Sequence, residues 1–199
     1  MKRRTEPSLR YGIGEWFGEL LATMPSGKIA SCARSAKLSK PDLPCPFRRR
    51  GTYSPICNKR GGVCSVRLYR RIEDGSALAH DSRLVTLCPQ RFWEGDLVFK
   101  QIAARILDCS NPILVKEVGF LKGENGDEVG RIDSVLVVPD MSPLQWCSVE
   151  IQAVYFSGQK MGLEFEELSN FRDHKIPFPS VIRRPDFRSS GPKRLMPQL

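Results

Sequence analysis

Residues 130–156, GRIDSVLVVPDMSPLQWCSVEIQAVYF, contain the pattern that decides the fold of this chain. An apolar, largely β-branched run extends from Ile132 to Val138. Prolines and polar residues between Pro139 and Pro143 interrupt it, and a strand pattern resumes at Trp146 and continues to Phe156. The stretch therefore predicts two strands joined by a turn.

Three polar residues lie at matching places on these strands. Asp133 is near the start of the first strand, and Glu150 and Gln152 are on the second. Residues two apart in a strand point to the same face, so Glu150 and Gln152 can lie on either side of one point in space. If the first strand is their antiparallel neighbour, Asp133 could reach the same point. Carboxylates converging at one point suit a hard cation such as Mg²⁺. A solvated strand face would show the same pattern, so the residues alone leave both interpretations open.

Length and composition indicate a globular protein. The chain has 199 residues, 41% hydrophobic and 27% charged, which suits one domain or a core with a smaller appendage. We divide it into an N-terminal helix and linker (1–44), a cysteine-rich basic subdomain (45–91) and a core (92–199). There is no apolar run of membrane-spanning length and no signal-peptide core, so we expect a cytoplasmic protein with no membrane partner.

The net charge of +9 is unevenly distributed. Residues 1–71 hold 16 Lys and Arg against 4 Asp and Glu, residues 72–170 hold 8 against 16, and residues 171–199 hold 7 against 2. Basic flanks around an acidic middle suit a protein that contacts phosphates at its ends and binds cations at its centre. Basic tails that only increase solubility would give the same balance.

The order of elements predicts an α+β fold. Residues 11–24, YGIGEWFGELLATM, have apolar residues at helical spacing, and residues 25–44 have a loop-like composition. Residues 92–108 predict a helix in their second half, residues 113–121 predict a strand, and a hairpin turn leads into the Gly130 strand. We expect residues 158–181 to be loop-like or only briefly helical.

Four cysteines form the most unusual pattern in the chain. Cys45, Cys57, Cys64 and Cys88 lie in a segment that we expect to be loop-rich and poorly hydrophobic. Cytosolic thiols stay reduced, so four of them suggest one tetrahedral metal site, with zinc or iron as candidates. Buried cysteines without a ligand are the alternative, because the spacing is not the familiar paired C-x2-C ribbon. Cys32 is a possible substitute ligand.

These pieces together resemble a known family. A helix followed by three strands, with Asp on the second strand and Glu-x-Gln on the third, resembles the PD-(D/E)xK nuclease core. The combination with the cysteine segment resembles the NotI-type restriction endonucleases. The motifs that carry this resemblance are CPF at Cys45, the lone Cys57, GVCSV at Cys64, LCPQR at Cys88 and VEIQAVYFSG from Val149.

The resemblance implies a PD-(D/E)xK core, a mixed sheet flanked by helices, with a small metal-bound cysteine subdomain. It implies a homodimeric type II enzyme of a restriction-modification system that cuts double-stranded DNA with Mg²⁺ and leaves 5′-phosphate ends. Asp133 and Glu150 would hold Mg²⁺, Gln152 would replace the usual lysine, and Glu117 would be a supporting carboxylate. The four cysteines would bind a structural iron.

Basic side chains on both flanks are candidates for contacts with the DNA backbone. They are Arg48, Arg49, Arg50, Arg183 and Arg184. Family members are longer, and the chain stops within what resembles an unfinished element, so we expect a C-terminal truncation. A truncated, catalytically inactive, metal-stabilised DNA-binding module is therefore the alternative function.

Overall fold

The computed structural model describes residues 9–38, 42–48, 55–126, 128–158, 160–172 and 175–186. The chain divides into two compact units. The larger unit comprises residues 1–91 and 153–199, and the smaller unit comprises residues 92–152. The predicted segments 1–44 and 45–91 thus both belong to the larger unit, and the predicted core 92–199 is shared between the two.

Strands and helices alternate irregularly along the chain. The described strands are β1 (Leu9–Trp16), β2 (Glu19–Leu20), β3 (Val63–Arg71), β4 (Ala77–Thr86), β5 (Ile113–Lys122), β6 (Glu128–Val137), β7 (Trp146–Val149), β8 (Tyr155–Gly158) and β9 (Arg183–Asp186). The described α-helices are α1 (Ser26–Lys37), α2 (Leu97–Ile106) and α3 (Gly162–Ser169). The α+β class is confirmed. Among the described helices, none is long and apolar enough to cross a membrane.

The larger unit contains a four-stranded sheet in the order β2-β1-β3-β4 and a separate β8-β9 ribbon. We expected a mixed sheet, but every strand pair within the described residues of either unit is antiparallel. The expectation that residues 45–91 are loop-rich was wrong, because β3 and β4 occupy most of the second half of that segment. β3 runs between β1 and β4, so the cysteine segment supplies part of the sheet.

The predicted helix over residues 11–24 was wrong, because β1 occupies its first half. Residues 12–16 are all buried, so the strand lacks the alternating exposure that makes a strand recognisable in sequence. Two glycines, which disfavour a helix, permit close packing here. A Cβ on Gly12 would lie 2.5 Å from Pro179 Cγ, and one on Gly14 would lie 2.7 Å from Leu84 Cδ2.

The linker predicted over residues 25–44 was also wrong in part, because it contains α1. Alanine is the best helix former, and Ile29, Ala33 and Ala36 place a buried stripe at helical spacing. Small side chains give a weak hydrophobic signal, so composition suggested a loop. The brief helix expected near GLEFEEL is confirmed by α3.

The smaller unit is a three-stranded sheet, β5-β6-β7, with α2 packed on one face. The helix predicted in the second half of residues 92–108 is confirmed by α2. The core of this unit consists of Phe99, Ala103, Leu136 and Val149. Phe99 and Ala103 lie four residues apart on α2, which places them on one helix face. Leu136 and Val149 belong to this core, which lies next to the acidic residues: Asp133 is in the middle of β6, not near its start as predicted, and Glu150 directly follows β7.

Candidate active site

Asp133 lies on β6, the central strand of the smaller unit. It directly precedes Ser134, which is fully buried and paired with both Lys116 of β5 and Val149 of β7. Hydrogen-bonded ladders on both sides hold β6 in place, while the Asp133 side chain is exposed. The carboxylate is thus a solvent-accessible group on a rigid support.

The second predicted strand is shorter than expected. β7 ends at Val149 and residues 150–154 are not in a strand, so Glu150 and Gln152 lie beyond the strand rather than on it. Just beyond this end, the Ile151 N–H donates to a side chain, Asp133 Oδ2, at 3.0 Å. The alternation argument for Glu150 and Gln152 therefore does not apply, and sequence reasoning missed the role of the Ile151 amide.

Glu150 nevertheless lies beside Asp133. The last residue pair of β6 and β7 is Ser134 with Val149, so the next residues along the two segments are Asp133 and Glu150. Partial burial, followed by the negative charge of Asp133, raises the pKa of Glu150, and the two residues are hydrogen-bonded. Two carboxyl groups this close repel each other when both are ionised, so a proton or a cation between them is favourable.

Glu117 lies on β5, the strand on the other side of β6 from β7. The flanking pairs, Lys116 with Ser134 and Val118 with Ile132, place it opposite Asp133. Its φ of 52° is in the left-handed region, which is unusual for a glutamate within a strand. Its exposed carboxylate lies 3.6 Å from Arg131 Nη1, an ion pair that sequence reasoning did not anticipate. Gln152 is exposed, two residues beyond Glu150.

The donor set of Asp133 and Glu150 fits Mg²⁺. This ion is commonly held by one or two carboxylates and retains several waters, and both side chains are exposed to solvent. Among the described residues, no group of three or more His, Cys, Asp or Glu is arranged to hold a metal. Glu117 therefore does not complete a three-carboxylate site in this arrangement.

The four cysteines come together in two pairs within the larger unit. The N–H of Cys45 bonds to the Pro55 carbonyl and the N–H of Cys57 to the Leu43 carbonyl, which places their two segments side by side. The N–H of Cys88 donates to the Cys64 carbonyl at 3.1 Å. All four thiols are buried.

The two pairs lie near each other. Burial raises the pKa of the Cys57 thiol, and the nearby Cys45 and Cys88 add to this effect. Burial also raises the pKa of Cys64, with Cys88 and Cys57 contributing. Four buried thiols match the chemistry of a soft metal, although the described residues contain no group of three set at metal-binding positions. Cys32 is buried on α1, where its thiol contacts Met24 Sδ at 4.0 Å.

A family model decides the classification. The model described as restriction endonuclease NotI matches residues 27–199. The chain belongs to the NotI restriction endonuclease family. No curated protein and no solved structure matches it. The match covers the whole smaller unit and most of the larger one, including all four cysteines and the acidic residues.

Within this NotI family member, the side chain of one predicted DNA contact lies in the interior. Arg183 is buried and forms an ion pair with Glu164, while its Nη1 donates to the Tyr11 carbonyl at 3.3 Å. Glu164 also accepts a hydrogen bond from the Ile13 N–H at 3.2 Å. A buried arginine that joins β9 to α3 and β1 is a structural element and does not face a DNA backbone.

The other predicted backbone contacts differ in accessibility. Arg184 is exposed on β9, and Arg48 is half-buried, with Nη1 donating to the Ile56 carbonyl at 3.1 Å. Arg49 and Arg50 lie outside the described residues. Arg184 and Arg48 therefore remain candidates for phosphate contacts.

Proposed function

We propose that this chain is a site-specific double-stranded DNA endonuclease of a restriction-modification system that hydrolyses phosphodiesters with Mg²⁺. Membership of the NotI family supports the restriction endonuclease activity. The single observation that carries the catalytic assignment is the contact between Asp133 and Glu150 just beyond the end of β7. Two adjacent, exposed carboxylates, one of them on a strand paired on both sides, match the needs of a hard divalent cation.

Asp133 and Glu150 would hold the cation, each with a different support. The Ile151 N–H fixes one oxygen of Asp133, so its carboxylate is preoriented. Glu150 follows directly after the last paired residue of β7. The strain at Glu117 and its ion pair with Arg131 support an accessory role for that residue. Bound Mg²⁺ would supply charge neutralisation at the scissile phosphate and lower the pKa of water.

Gln152 would orient the attacking water. Its amide offers two N–H donors and one carbonyl acceptor but cannot exchange a proton near neutral pH. The water oxygen forms a bond to phosphorus, and the bond from phosphorus to the 3′ oxygen breaks. The proton lost by the water passes to solvent, and the departing 3′ oxygen takes one from solvent. The products are a 5′-phosphate and a 3′-hydroxyl.

A digest of long duplex DNA with Mg²⁺ or with EDTA tests the proposal. We expect discrete fragments with Mg²⁺ only. Asp133→Asn and Glu150→Gln should each reduce the cleavage rate by at least about 100-fold, which exceeds the typical loss from a supporting residue. Asn at 133 can still accept the Ile151 hydrogen bond, so the fold is retained. Asp140→Asn and Glu124→Gln, exposed acids of the same unit, are the matched controls.

We further propose that Cys45, Cys57, Cys64 and Cys88 hold one structural iron, with zinc as the alternative. Their burial and their arrangement in two neighbouring pairs support this proposal. Elemental analysis of purified protein should give one metal per chain, reduced in Cys57→Ser but unchanged in the control Cys109→Ser. Full metal content in Cys57→Ser would show that Cys57 is not a ligand.

We also propose that the protein acts on duplex DNA as a homodimer, with Arg48, Arg49, Arg50 and Arg184 near the phosphates. Two-fold symmetric sites are matched by two-fold symmetric proteins. Sedimentation with a cleavable duplex in Ca²⁺ would show two chains per duplex. Salt-sensitive binding without cleavage, at every Mg²⁺ concentration, would instead establish the inactive DNA-binding module.

A further inference from the structure

A cavity of about 540 Å³ lies within the larger unit, in a region that the proposed nuclease chemistry does not use. Its volume is within the range of small-molecule sites. It is formed by the end of α1, the segment before β3, the residue after β4 and the start of α3. The residues that line it are Ala36, Lys37, Lys59, Arg60, Val63, Leu87, Lys160, Met161, Gly162 and Phe165.

The lining carries four cations and no acid among the described residues. Lys37 is paired with Glu166 at 2.6 Å. The ammonium of Lys59 donates to the Leu87 carbonyl at 2.5 Å, which holds the cation in place without neutralising it. Within the described part of the chain, neither Arg60 nor Lys160 forms an ion pair. The cavity therefore has an excess of positive charge.

The remaining lining is apolar and includes one end of an aromatic stack. Trp16 stacks against Phe17 with ring centroids 6.5 Å apart and against Phe165 with centroids 5.4 Å apart. Trp16 is fully buried, and its Nε1 donates to the Gly61 carbonyl at 2.7 Å. Phe165 is the member of this stack that lines the cavity. A rigid aromatic surface favours a flat ring over a flexible aliphatic chain as the bound group.

We propose that this cavity binds a nucleoside phosphate, with the phosphate near Arg60 and Lys160. The base would lie against the apolar lining residues, which include Phe165. The cations supply charge-assisted hydrogen bonds to phosphate oxygens, and the aromatic and aliphatic side chains supply the surface for the base. The N-terminus of α3, at Gly162, adds partial positive charge to the same wall.

Calorimetric titration of the full chain with adenosine 5′-monophosphate, adenosine and inorganic phosphate tests the proposal. We expect the nucleotide to bind at least about tenfold more tightly than either fragment, because only the nucleotide uses both halves of the cavity. Arg60→Gln combined with Lys160→Gln should weaken nucleotide binding by about tenfold or more. Arg83→Gln combined with Lys100→Gln, which removes two exposed cations elsewhere, is the matched control.

A second variant tests the cavity without changing its charge. Gly162 lines the cavity and a Cβ there would meet no atom within 4 Å, so Gly162→Leu adds bulk to the lining without a clash. We expect Gly162→Leu to abolish nucleotide binding with an unchanged melting temperature.

Three outcomes would overturn the proposal. The first is absence of nucleotide binding at millimolar concentration. The second is equal affinity for nucleotide and inorganic phosphate, which would indicate a simple anion site. The third is undiminished binding in the folded Gly162→Leu protein, which would place the nucleotide elsewhere. DNA cleavage is not a readout of any of these titrations, so the result is independent of the proposed nuclease activity.

Discussion

The carboxylate of Glu15 lies 3.3 Å from the guanidinium Nε of Arg91, and this pair connects the segments that carry three of the four cysteines. Glu15 also accepts a hydrogen bond from Ser65, next to Cys64, at 2.9 Å. The main chain of Arg91 bonds to the Cys88 carbonyl, and its guanidinium stacks over Phe47, two residues after Cys45. Glu15 comes from β1, so the N-terminal strand aligns the cysteine segments.

Glu15→Ala should therefore destabilise the larger unit. Glu15 is buried, and its removal leaves Ser65 and Arg91 without that partner. We therefore expect the free energy of unfolding to fall by about 2 kcal/mol. This is below the range for a fully buried ion pair because Arg91 is partly exposed. Urea unfolding measures the change. Glu19→Ala, which removes an exposed ion pair with Lys28, should cost less than about 1 kcal/mol. Equal effects of the two substitutions would show that the Glu15–Arg91 pair is not a structural connection.

The buried pair of Arg183 and Glu164 leads to a second stability prediction. Removing one partner leaves an uncompensated buried charge, so Arg183→Met should cost about 3–5 kcal/mol. Arg83→Met removes an exposed ion pair of the same type and should cost less than about 1 kcal/mol. Combining Arg183→Met with Glu164→Gln should restore part of the loss, as measured by a double-mutant cycle in urea. A phosphate-contacting Arg183 would instead weaken DNA binding without loss of stability.

The core beneath the acidic pair gives a third prediction. Phe99 is buried on α2 with its ring centroid 4.4 Å from that of Trp93, and Phe99→Ala should cost about 3–5 kcal/mol. Leu97 is on the same helix but 63% exposed, so Leu97→Ala should change stability by less than about 0.5 kcal/mol. Hydrogen exchange of β6 and β7 amides reports both changes. Unaltered exchange in Phe99→Ala would show that α2 does not support the acidic site.

The raised pKa of Glu150 predicts a pH dependence in metal-free protein. The folded state holds this proton more tightly than the unfolded chain does, so stability falls as the pH rises from the ordinary glutamate pKa through the raised one. Glu150→Gln should remove this slope, and Glu124→Gln should retain it. Thermal unfolding in EDTA across mildly acidic pH measures the difference. Parallel curves for wild type and Glu150→Gln would contradict the raised pKa of Glu150.

The same shift predicts that cation binding weakens in acid. Mg²⁺ needs the ionised carboxylate, so protons compete with the cation as the pH falls through the raised pKa of Glu150. Titration of Mg²⁺ at two pH values should show lower affinity at the lower pH, and the control Glu124→Gln should show the same difference. A Mg²⁺ affinity independent of pH would exclude Glu150 as a ligand.

Local sequence was sufficient for the elements with strong patterns. β6 was recognisable from its apolar, β-branched run, and α2 was recognisable because its apolar residues recur at helical spacing. The four cysteines and the Glu-x-Gln motif indicated the family, which the family model confirmed. Where the period was obscured, as in β1 with both faces buried and in α1 with its alanine stripe, the sequence-based interpretation was wrong.

The sequence by itself determined which chemical groups are available: the two acids Asp133 and Glu150, four thiols and an excess of basic residues. Only the tertiary structure decided how they are used. The Ile151 amide bonds to the Asp133 carboxylate beyond the end of β7, the Glu164 carboxylate pairs with Arg183 in the interior, and Glu15 joins the cysteine segments. Each of these contacts joins residues far apart in the chain, and local periodicity carries no information about such partners.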